Sequence, residues 1–211
     1  MPLNSTAYIA RQLGRPSGFI GGVVLPRLFN WRNAALNDFT QENLDLIATS
    51  HVLEVGFGGG YLLGRIAAAA SQGAVLPFDA SPAMVGYCHR HQRRLVQSGR
   101  LCIACASAEA LPLPPAAVDR ACTVNTLFYV ADPFRAVAEL WRVLAEAGRV
   151  AICFTLRQSL QDRDFAQQGL TLFDASDVEL LLDKAGFGDI RVATSSDRRR
   201  EFACITAVKV A

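Results

Sequence analysis

The sequence predicts an α/β protein built on one mostly parallel sheet of seven strands. Beyond about residue 50, short apolar segments rich in β-branched residues alternate with helical segments, as in a parallel sheet that helices cover on both faces. The last two strand segments are joined by only about seven residues, 195–201. Because this connection is too short for a helical crossover, we expect these two strands to form an antiparallel hairpin.

The seven strand segments lie between residues 52 and 208. Their expected bounds are Val52–Val55, Ala74–Phe78, Leu101–Cys105, Val118–Val124, Arg149–Phe154, Asp189–Thr194 and Phe202–Val208.

Several helices between these strands have recognisable start and stop residues. Ser81-Pro82 and Asp132-Pro133 each place a capping side chain before a proline at the first helical position. A capping box is expected at Ser176 and Glu179, and Gly186 is expected to end that helix. The helix that begins at Pro133 should bury one face. The residues of that face are Phe134, Val137, Leu140, Trp141 and Leu144.

Length and composition predict a single globular domain. The chain has 211 residues, of which 51% are hydrophobic and 19% charged, and a formal net charge of +2. This balance gives no electrostatic reason to expect nucleic acid or an anionic membrane as a partner. No apolar stretch reaches the roughly 18–20 residues of a membrane span, and the first residues lack the pattern of a secretory signal. We therefore expect a cytoplasmic protein, and the composition favours no particular oligomeric state.

Residues 1–50 differ from the remainder, because glycines and prolines interrupt their helical patterns. Such a segment is too broken to form a domain of its own. We expect residues 1–50 to form a helical cap over a ligand-binding domain of residues 51–211.

Neither the cysteines nor the histidines indicate a metal or redox site. Cys102 and Cys105 have the spacing of such a pair, but in a strand their thiols would point to opposite faces. His89 and His91 are two residues apart on a predicted helix and do not face each other. His51 opens the first strand, at the end of the sheet opposite to the one where ligands bind. We expect no metal ion and no catalytic histidine.

The most specific motif is the segment from His51 to Tyr61, in which an acidic residue precedes three alternating glycines. Its apolar first half predicts a buried strand, its glycines a tight turn, and the residues from Tyr61 to about Ala70 a helix. Such a unit binds nucleotide-like ligands, since glycines allow close approach to the main chain and the helix amides supply a positive field. A dinucleotide site requires a third small residue where this chain has Tyr61, which argues against an NAD(P)-dependent oxidoreductase.

The spacing Glu54-x-Gly-x-Gly-x-Gly60 resembles the first motif of class I S-adenosylmethionine-dependent methyltransferases. The resemblance implies a Rossmann-like class I methyltransferase fold, S-adenosyl-L-methionine as cofactor and S-adenosyl-L-homocysteine as product. It also implies that Glu54 orients the glycine loop around the methionine part of the cofactor. The expected contacts in this loop are Glu54, Gly56, Phe57, Gly58 and Gly60.

Two further segments are expected to hold the nucleoside. Asp79 follows the second strand, where a carboxylate can accept hydrogen bonds from both ribose hydroxyls. Residues 106–113 resemble the adenine-binding segment of the family, with Ser107 in place of the usual aspartate. The expected cofactor contacts in these two segments are Asp79, Ala80, Met84, Ser107, Ala108 and Glu109.

Residues 125–130, after the fourth strand, correspond to the loop that borders the methyl-transfer site in the family. We expect Asn125 at the cofactor and take Tyr129 as the candidate catalytic residue, although packing of the aromatic residues into the core fits the pattern equally well. The expected substrate contacts are Asn33, Asn37, Phe128, Tyr129 and Phe154, with Phe19 and Phe173 as further candidate walls. Arg198–Arg200 either attract an anionic substrate or form an exposed hairpin tip.

The function that the resemblance implies is transfer of a methyl group to a small, fairly apolar acceptor by direct in-line displacement. The sequence offers no evident general base, which a phenol or alcohol acceptor would require because it must lose a proton. Two alternatives therefore stay open. One is a non-catalytic or non-methylating S-adenosylmethionine-binding protein, and the weaker one is the NAD(P)-dependent oxidoreductase.

Overall fold

The computed structural model describes residue 22, residues 24–160 and residues 170–210. The strands are β1 Val52–Val55, β2 Val75–Asp79, β3 Ala104–Cys105, β4 Val118–Val124, β5 Leu144–Thr155, β6 Phe187–Asp197 and β7 Arg200–Lys209. The α-helices among the described residues are α1 Leu25–Asn43, α2 Tyr61–Ala69, α3 Pro82–His91, α4 Arg93–Gln97, α5 Pro133–Val143 and α6 Ala175–Lys184. Short 3-10 turns lie at Leu127–Tyr129 and Arg157–Ser159.

The seven strands form one sheet in the order β3-β2-β1-β4-β5-β7-β6. Strands β1 to β5 pair in parallel, whereas β7 is antiparallel to both β5 and β6. The strand order reverses between β1 and β4, so the crevice for a ligand opens at the carboxyl ends of these two strands. The predicted fold class and the predicted terminal hairpin are both confirmed.

The hairpin is tighter and the fifth strand longer than the sequence pattern predicts. Strands β6 and β7 are joined by residues 198 and 199 alone, because pairing continues as far as Asp197 and Arg200. Strand β5 begins at Leu144 and not at Arg149, since Leu144 already pairs with Val118 across an irregular register. Cross-strand hydrogen bonds thus extend elements beyond the apolar runs that indicate them.

Two details of the predicted helices are wrong. Helix α6 begins one residue before Ser176, with Asp174 as its cap, and the amide of Asp174 donates to a carboxylate oxygen of Asp177 at 2.8 Å. Arg157 bridges both of these carboxylates, which favours this start over a capping box at Ser176 and Glu179. Phe134 is 43% exposed and lies outside the buried face of α5. That face comprises Ala136, Val137, Leu140 and Val143.

Apolar side chains fill both faces of the sheet. Helices α5 and α6 cover one face, and the buried residues there include Val137, Leu140, Val178 and Leu182. Helices α1, α2 and α3 cover the other, with Leu36, Leu63, Ile66 and Met84 among the buried residues. Helix α1 contacts α2 and also β4, β5 and β7, so it lies across the sheet beside the crevice. None of the described helices combines the length and the apolar character that crossing a membrane requires.

Candidate functional site

A cavity of about 380 Å³ lies at the carboxyl ends of the parallel strands, with α1 along one side. This volume is within the range of small-molecule sites. Most of the site residues predicted from the sequence line it. They are Asn33, Asn37, Glu54, Gly56, Phe57, Gly58, Asp79, Ala80, Met84, Ser107, Ala108, Glu109, Asn125, Phe128 and Tyr129.

The glycine turn between β1 and α2 forms one wall of the cavity. Gly56, Gly58 and Gly60 have φ values of 74°, 51° and 73°, in the left-handed region that glycine adopts without strain. A Cβ atom at Gly56 would lie 2.1 Å from the hydroxyl of Thr126, so the loops after β1 and β4 touch. Gly60 caps α2 and faces Cys88, outside the cavity lining. Gly60 therefore contributes to the conformation of the turn without lining the cavity.

Glu54 is a buried carboxyl group at the floor of the cavity, only 2% exposed. Burial, and secondarily the charge of Asp79, raises its pKa to about 8. Its Oε2 atom has no hydrogen-bond partner among the described residues. A buried acceptor of this kind fits a ligand that brings a positive charge or a hydrogen-bond donor.

Asp79 joins the loops that follow β1 and β2. Its Oδ2 accepts a hydrogen bond from the amide of Gly58 at 3.0 Å, and its Oδ1 accepts one from the amide of Ser81 at 2.8 Å. Burial raises the pKa of Asp79, and these two hydrogen bonds oppose the increase. Ser81 caps α3 by accepting from the amide of Met84 at 3.3 Å, so Asp79 is not needed as the cap. Its carboxylate is held facing the cavity by main-chain donors.

Ser107 and Glu109 form the rim beyond β3. The hydroxyl of Ser107 donates to Oε2 of Glu109, and the amide of Glu109 donates back to that hydroxyl, both at 3.2 Å. The other carboxylate oxygen of Glu109 accepts from the amide of Asp132 at 2.6 Å, at the start of α5. Glu109 thus anchors this rim to α5 while it remains beside Ser107.

Asn125 connects three elements at the end of β4. It has φ of 55°, its Oδ1 accepts from the amide of Thr155 at 2.8 Å, and its Nδ2 donates to Oδ1 of Asn33 at 3.2 Å. From the sequence, Asn125 is expected at the cofactor and Asn33 at the substrate, and in the structure the two side-chain amides bond to each other. Asn30, which lies one turn before Asn33 on α1, donates a hydrogen bond to the carbonyl of Gly59 at 3.0 Å.

The aromatic residues divide between the cavity and the core. Phe128 and Tyr129 line the cavity, whereas Phe154 and Phe173 do not. Phe128 and Phe173 have stacked rings 6.1 Å apart, and Phe154 meets Phe173 edge to face at 6.4 Å. Because side chains alternate along β5, Thr155 faces the cavity and Phe154 is turned away from it. Phe154 and Phe173, which are expected from the sequence to form walls, thus pack beside the cavity and do not line it, and Phe19 lies outside the described residues.

Three leucines that the sequence analysis did not single out complete the apolar part of the lining: Leu160, Leu170 and Leu172. They follow β5 in the chain. The only signal for them in the sequence is an apolar residue after the carboxyl end of a parallel strand, where ligands bind.

Tyr129 is a titratable residue that lines the cavity next to Phe128. Burial raises the pKa of its phenol to about 12, against the opposing charge of the Arg32 guanidinium. Tyr129 therefore stays protonated near neutral pH, so it can donate a hydrogen bond but is a poor base.

Arg200 is turned inward and is not part of an exposed tip. Its side chain is 8% exposed and lies 3.7 Å from Asp197. It donates to Oγ1 of Thr155 at 3.2 Å, to Oδ1 of Asn33 at 3.1 Å and to the carbonyl of Arg32. Arg200 begins β7, where alternation places it on the same face as the buried Phe202. The exposed part of the tip includes Arg199, whose guanidinium stacks 3.8 Å from the ring of Trp31.

The histidines lie away from the cavity lining. His51 is exposed, its amide bonds to Asp119, and His89 and His91 contact the carbonyl oxygens of Ile103 and Tyr87. Among the described residues, no group of three or more His, Cys, Asp or Glu side chains is arranged to hold a metal ion.

Known proteins share both the sequence pattern and the fold. Residues 53–152 match the family described as a methyltransferase domain. The chain is similar to the uncharacterized methyltransferase YdaC of Bacillus subtilis (strain 168), with 27% identity over 187 residues that cover 85% of this chain and 94% of that protein.

Solved structures resemble the fold at low sequence identity. A SAM dependent methyltransferase from Aquifex aeolicus aligns with a TM-score of 0.68 and 20% identity, over 97% of this chain and 98% of that chain. The [4+2]-cyclase SpnF aligns with a TM-score of 0.72 and 23% identity, over 84% of this chain and 80% of that chain.

The family match spans β1 through most of β5 and therefore contains the glycine turn, Asp79 and the loop after β4. The cavity formed by these segments has a buried carboxyl oxygen, without a partner in the described part of the chain, where the methionine end of the cofactor is expected. The family match, the similarity to known methyltransferases and the shared fold together support a class I S-adenosylmethionine-dependent methyltransferase.

Proposed function

We propose that this methyltransferase acts on a small, fairly apolar acceptor that enters the cavity beside Phe128 and Tyr129. The observation that carries the proposal is that polar and apolar residues line the same cavity. The glycine turn, Glu54 and Asp79 line a polar part, and Phe128 with three leucines lines an apolar part. When bound, S-adenosylmethionine supplies an activated methyl group for in-line displacement.

The polar part supports binding of the methionine and ribose. Glu54 presents a buried oxygen with no partner among the described residues, which suits the positively charged methionine end. Each oxygen of Asp79 accepts one main-chain hydrogen bond and retains capacity for another. Asp79 would thus accept from both ribose hydroxyls without losing the contacts that orient it.

Ser107 and Ala108 are proposed to hold the adenine. The hydroxyl hydrogen of Ser107 is directed at Glu109, and its oxygen accepts from one amide. That oxygen can accept a second hydrogen bond, from the adenine amino group. Ala108 offers a main-chain amide, and Met84, buried below, would pack against the base.

In the apolar part, Tyr129 is proposed to orient the acceptor by donating a hydrogen bond. Its raised pKa means that it does not remove a proton from the acceptor. Correct placement of two reactants supplies effective molarities of about 10⁵–10⁸ M. We further propose that residues 1–50, to which α1 belongs, form a cap that keeps water from the reacting atoms.

Calorimetric titration with S-adenosylmethionine, followed by methyl transfer in a metabolite extract, tests the proposal. We expect binding of S-adenosylmethionine and S-adenosylhomocysteine, no binding of NAD at equal concentration, and transfer of a labelled methyl group to a low-molecular-weight compound. Absence of binding at millimolar cofactor would contradict the cofactor assignment. Binding without transfer to any compound would instead indicate a non-methylating use of the fold.

A further inference from the structure

Arg32 places a guanidinium group at the cavity, where it has no acidic partner among the described residues. It is half-buried on α1 and lines the cavity. No carboxylate of the described residues forms an ion pair with Arg32. Its main-chain carbonyl is bonded to Arg200, so the backbone at this position is fixed while the charged end faces the cavity. A charged group in an enclosed site is costly unless a ligand or partner of opposite charge compensates for it.

The second guanidinium at the cavity is already engaged. Arg200 has the carboxylate of Asp197 at 3.7 Å and donates to Thr155 and Asn33. It supports α1 against the sheet. Of the two described arginines at the cavity, Arg32 is therefore the one that is suited to bind an anion of a ligand.

The position of Arg32 on α1 places it toward the apolar part of the cavity and away from the glycine turn. Successive helical residues are rotated by about 100°, so Arg32 is about 200° from Asn30 around the helix. Asn30 contacts the glycine turn through the carbonyl of Gly59. The residues of α1 that line the cavity occupy one side of the helix, and Asn30 lies at one edge of that side. Arg32 lies at the other edge, together with Leu28 one turn before it. On that edge its charge acts on the phenol of Tyr129, which lines the apolar part.

We propose that Arg32 is a specificity-determining residue that binds an anionic group, a carboxylate or a phosphate, of the methyl acceptor. This inference rests on the proposed function. The acceptor then combines an apolar body, which contacts the leucines and Phe128, with an anionic group that the guanidinium holds in a charge-assisted, bidentate hydrogen bond. Arg32 fixes the distance of the reacting atom from the anionic end.

The test separates a metabolite extract by anion exchange at pH 7 into anionic and non-anionic fractions. Each fraction is then incubated with labelled S-adenosylmethionine and the wild-type protein. We expect methyl transfer only with the anionic fraction. Treatment of that fraction with alkaline phosphatase distinguishes the two anions, because a phosphate ester loses its activity as acceptor and a carboxylate keeps it.

Variants on α1 assign the effect to Arg32. Arg32→Gln should raise the KM for the anionic fraction about 10- to 100-fold, whereas Arg32→Lys should recover part of this loss because it keeps the charge. Arg27→Gln, on an exposed position of the same helix, should leave KM unchanged. Binding of S-adenosylhomocysteine should be unaltered in all three variants, which also shows that they are folded.

Several outcomes would overturn the inference. Methyl transfer to the non-anionic fraction, or an unchanged KM in Arg32→Gln, would exclude an anion-binding role toward the acceptor. Loss of S-adenosylhomocysteine affinity in Arg32→Gln would assign the guanidinium to the carboxylate of the cofactor. Failure of the wild-type protein to bind S-adenosylhomocysteine, or to methylate either fraction, would instead contradict the proposed function itself.

Discussion

At the scale of single residues, the site depends on two buried carboxyl groups of unequal surroundings. Asp79 has two main-chain amides on its oxygens, whereas Oε2 of Glu54 has no partner among the described residues. Burial raises the pKa of both groups, and the charge of Asp79 raises that of Glu54 further. The protein therefore keeps acidic groups in a place where they are unfavourable without a ligand.

Replacing Asp79 by Asn should weaken cofactor binding, because one oxygen becomes an amide nitrogen that cannot accept from a ribose hydroxyl. We expect the Kd for S-adenosylhomocysteine to rise at least tenfold, since a charged hydrogen bond contributes about 1.5–3 kcal/mol. Calorimetric titration measures this change. Asp183→Asn, at an exposed position of α6, is the control, and equal affinities of both variants would exclude Asp79 from the cofactor site.

Replacing Glu54 by Gln should alter how the stability of the ligand-free protein depends on pH. The pKa of Glu54 is about 8 in the folded state against an ordinary value of 4.5, so between these values the folded protein binds more protons than the unfolded chain. Its contribution is fully favourable below about pH 4.5 and is lost as pH rises toward 8, by up to about 1.4 kcal/mol per pH unit. Glu54→Gln should therefore gain stability relative to wild type as pH rises.

Urea unfolding at pH 5, 6, 7 and 8 measures this difference. Glu146→Gln, at an exposed position, should keep a constant difference from wild type. A constant difference for Glu54→Gln as well would show that Glu54 titrates normally. Cofactor affinity of Glu54→Gln should fall at the same time, because glutamine cannot ionise when the positively charged methionine end binds beside it.

At the scale of elements, the contact between α1 and the glycine turn holds one side of the cavity together. The carbonyl of Pro26 and the side chain of Asn30 approach Gly59 so closely that a Cβ atom would lie 2.1 and 2.2 Å from their oxygens. Helix α1 also contacts α2 and three strands. The helix and the cofactor loop therefore move as one unit unless this contact is broken.

Gly59→Ala should break the contact between α1 and the glycine turn. We expect a loss of stability of about 1–3 kcal/mol from the clash and a weaker affinity for S-adenosylhomocysteine, because the loop and α1 must separate. Thermal unfolding and calorimetric titration measure the two effects. Gly64→Ala makes the same chemical change within α2, where the nearest atoms of Gln92 lie at 3.7 Å, and should stabilise by up to about 1 kcal/mol. A neutral Gly59→Ala would contradict the close packing.

Substitutions of Asn125 test how β4, β5 and α1 are joined. Asn125→Ala should destabilise by about 2–4 kcal/mol, because it leaves the amide of Thr155 unpaired and places alanine at φ of 55°. Asn125→Gly loses the same hydrogen bonds but tolerates this φ, so it should cost about 0.5–1 kcal/mol less. Urea unfolding compares the two variants. A larger loss for glycine than for alanine would contradict the left-handed conformation.

Whether a feature could be predicted from the sequence depends on how far apart in the chain its interacting residues lie. The glycine turn, the cap at Ser81 and the terminal hairpin were predictable because residues close in the chain determine them. The inward position of Arg200 and the burial of Phe154 on the side of β5 turned away from the cavity were not, because they depend on β7 pairing with β5 and on which face of β5 meets the cavity. Likewise, Arg157 selects the start of α6 from a different segment of the chain.

At the scale of the whole molecule, cofactor binding should stabilise the fold, since the cavity is formed by loops from opposite halves of the sheet. Ligand at about 100 times its Kd adds about 2.7 kcal/mol. For a chain of 211 residues, this corresponds to a rise in Tm of roughly 5–10 °C. Thermal unfolding with S-adenosylhomocysteine measures the shift, and NAD at the same concentration should produce none. An unchanged Tm would contradict a cofactor site in this cavity.

The position of β7 between β5 and β6 has a consequence for the biosynthesis of the protein. Strand β6 is made before β7 and, among the described strands, pairs with β7 alone, which also covers the outer edge of β5. Until residues 200–209 have emerged from the ribosome, β5 exposes a long, largely apolar edge that can pair with other chains. The first five strands can assemble during translation, but the nascent protein is protected from aggregation only after this last insertion.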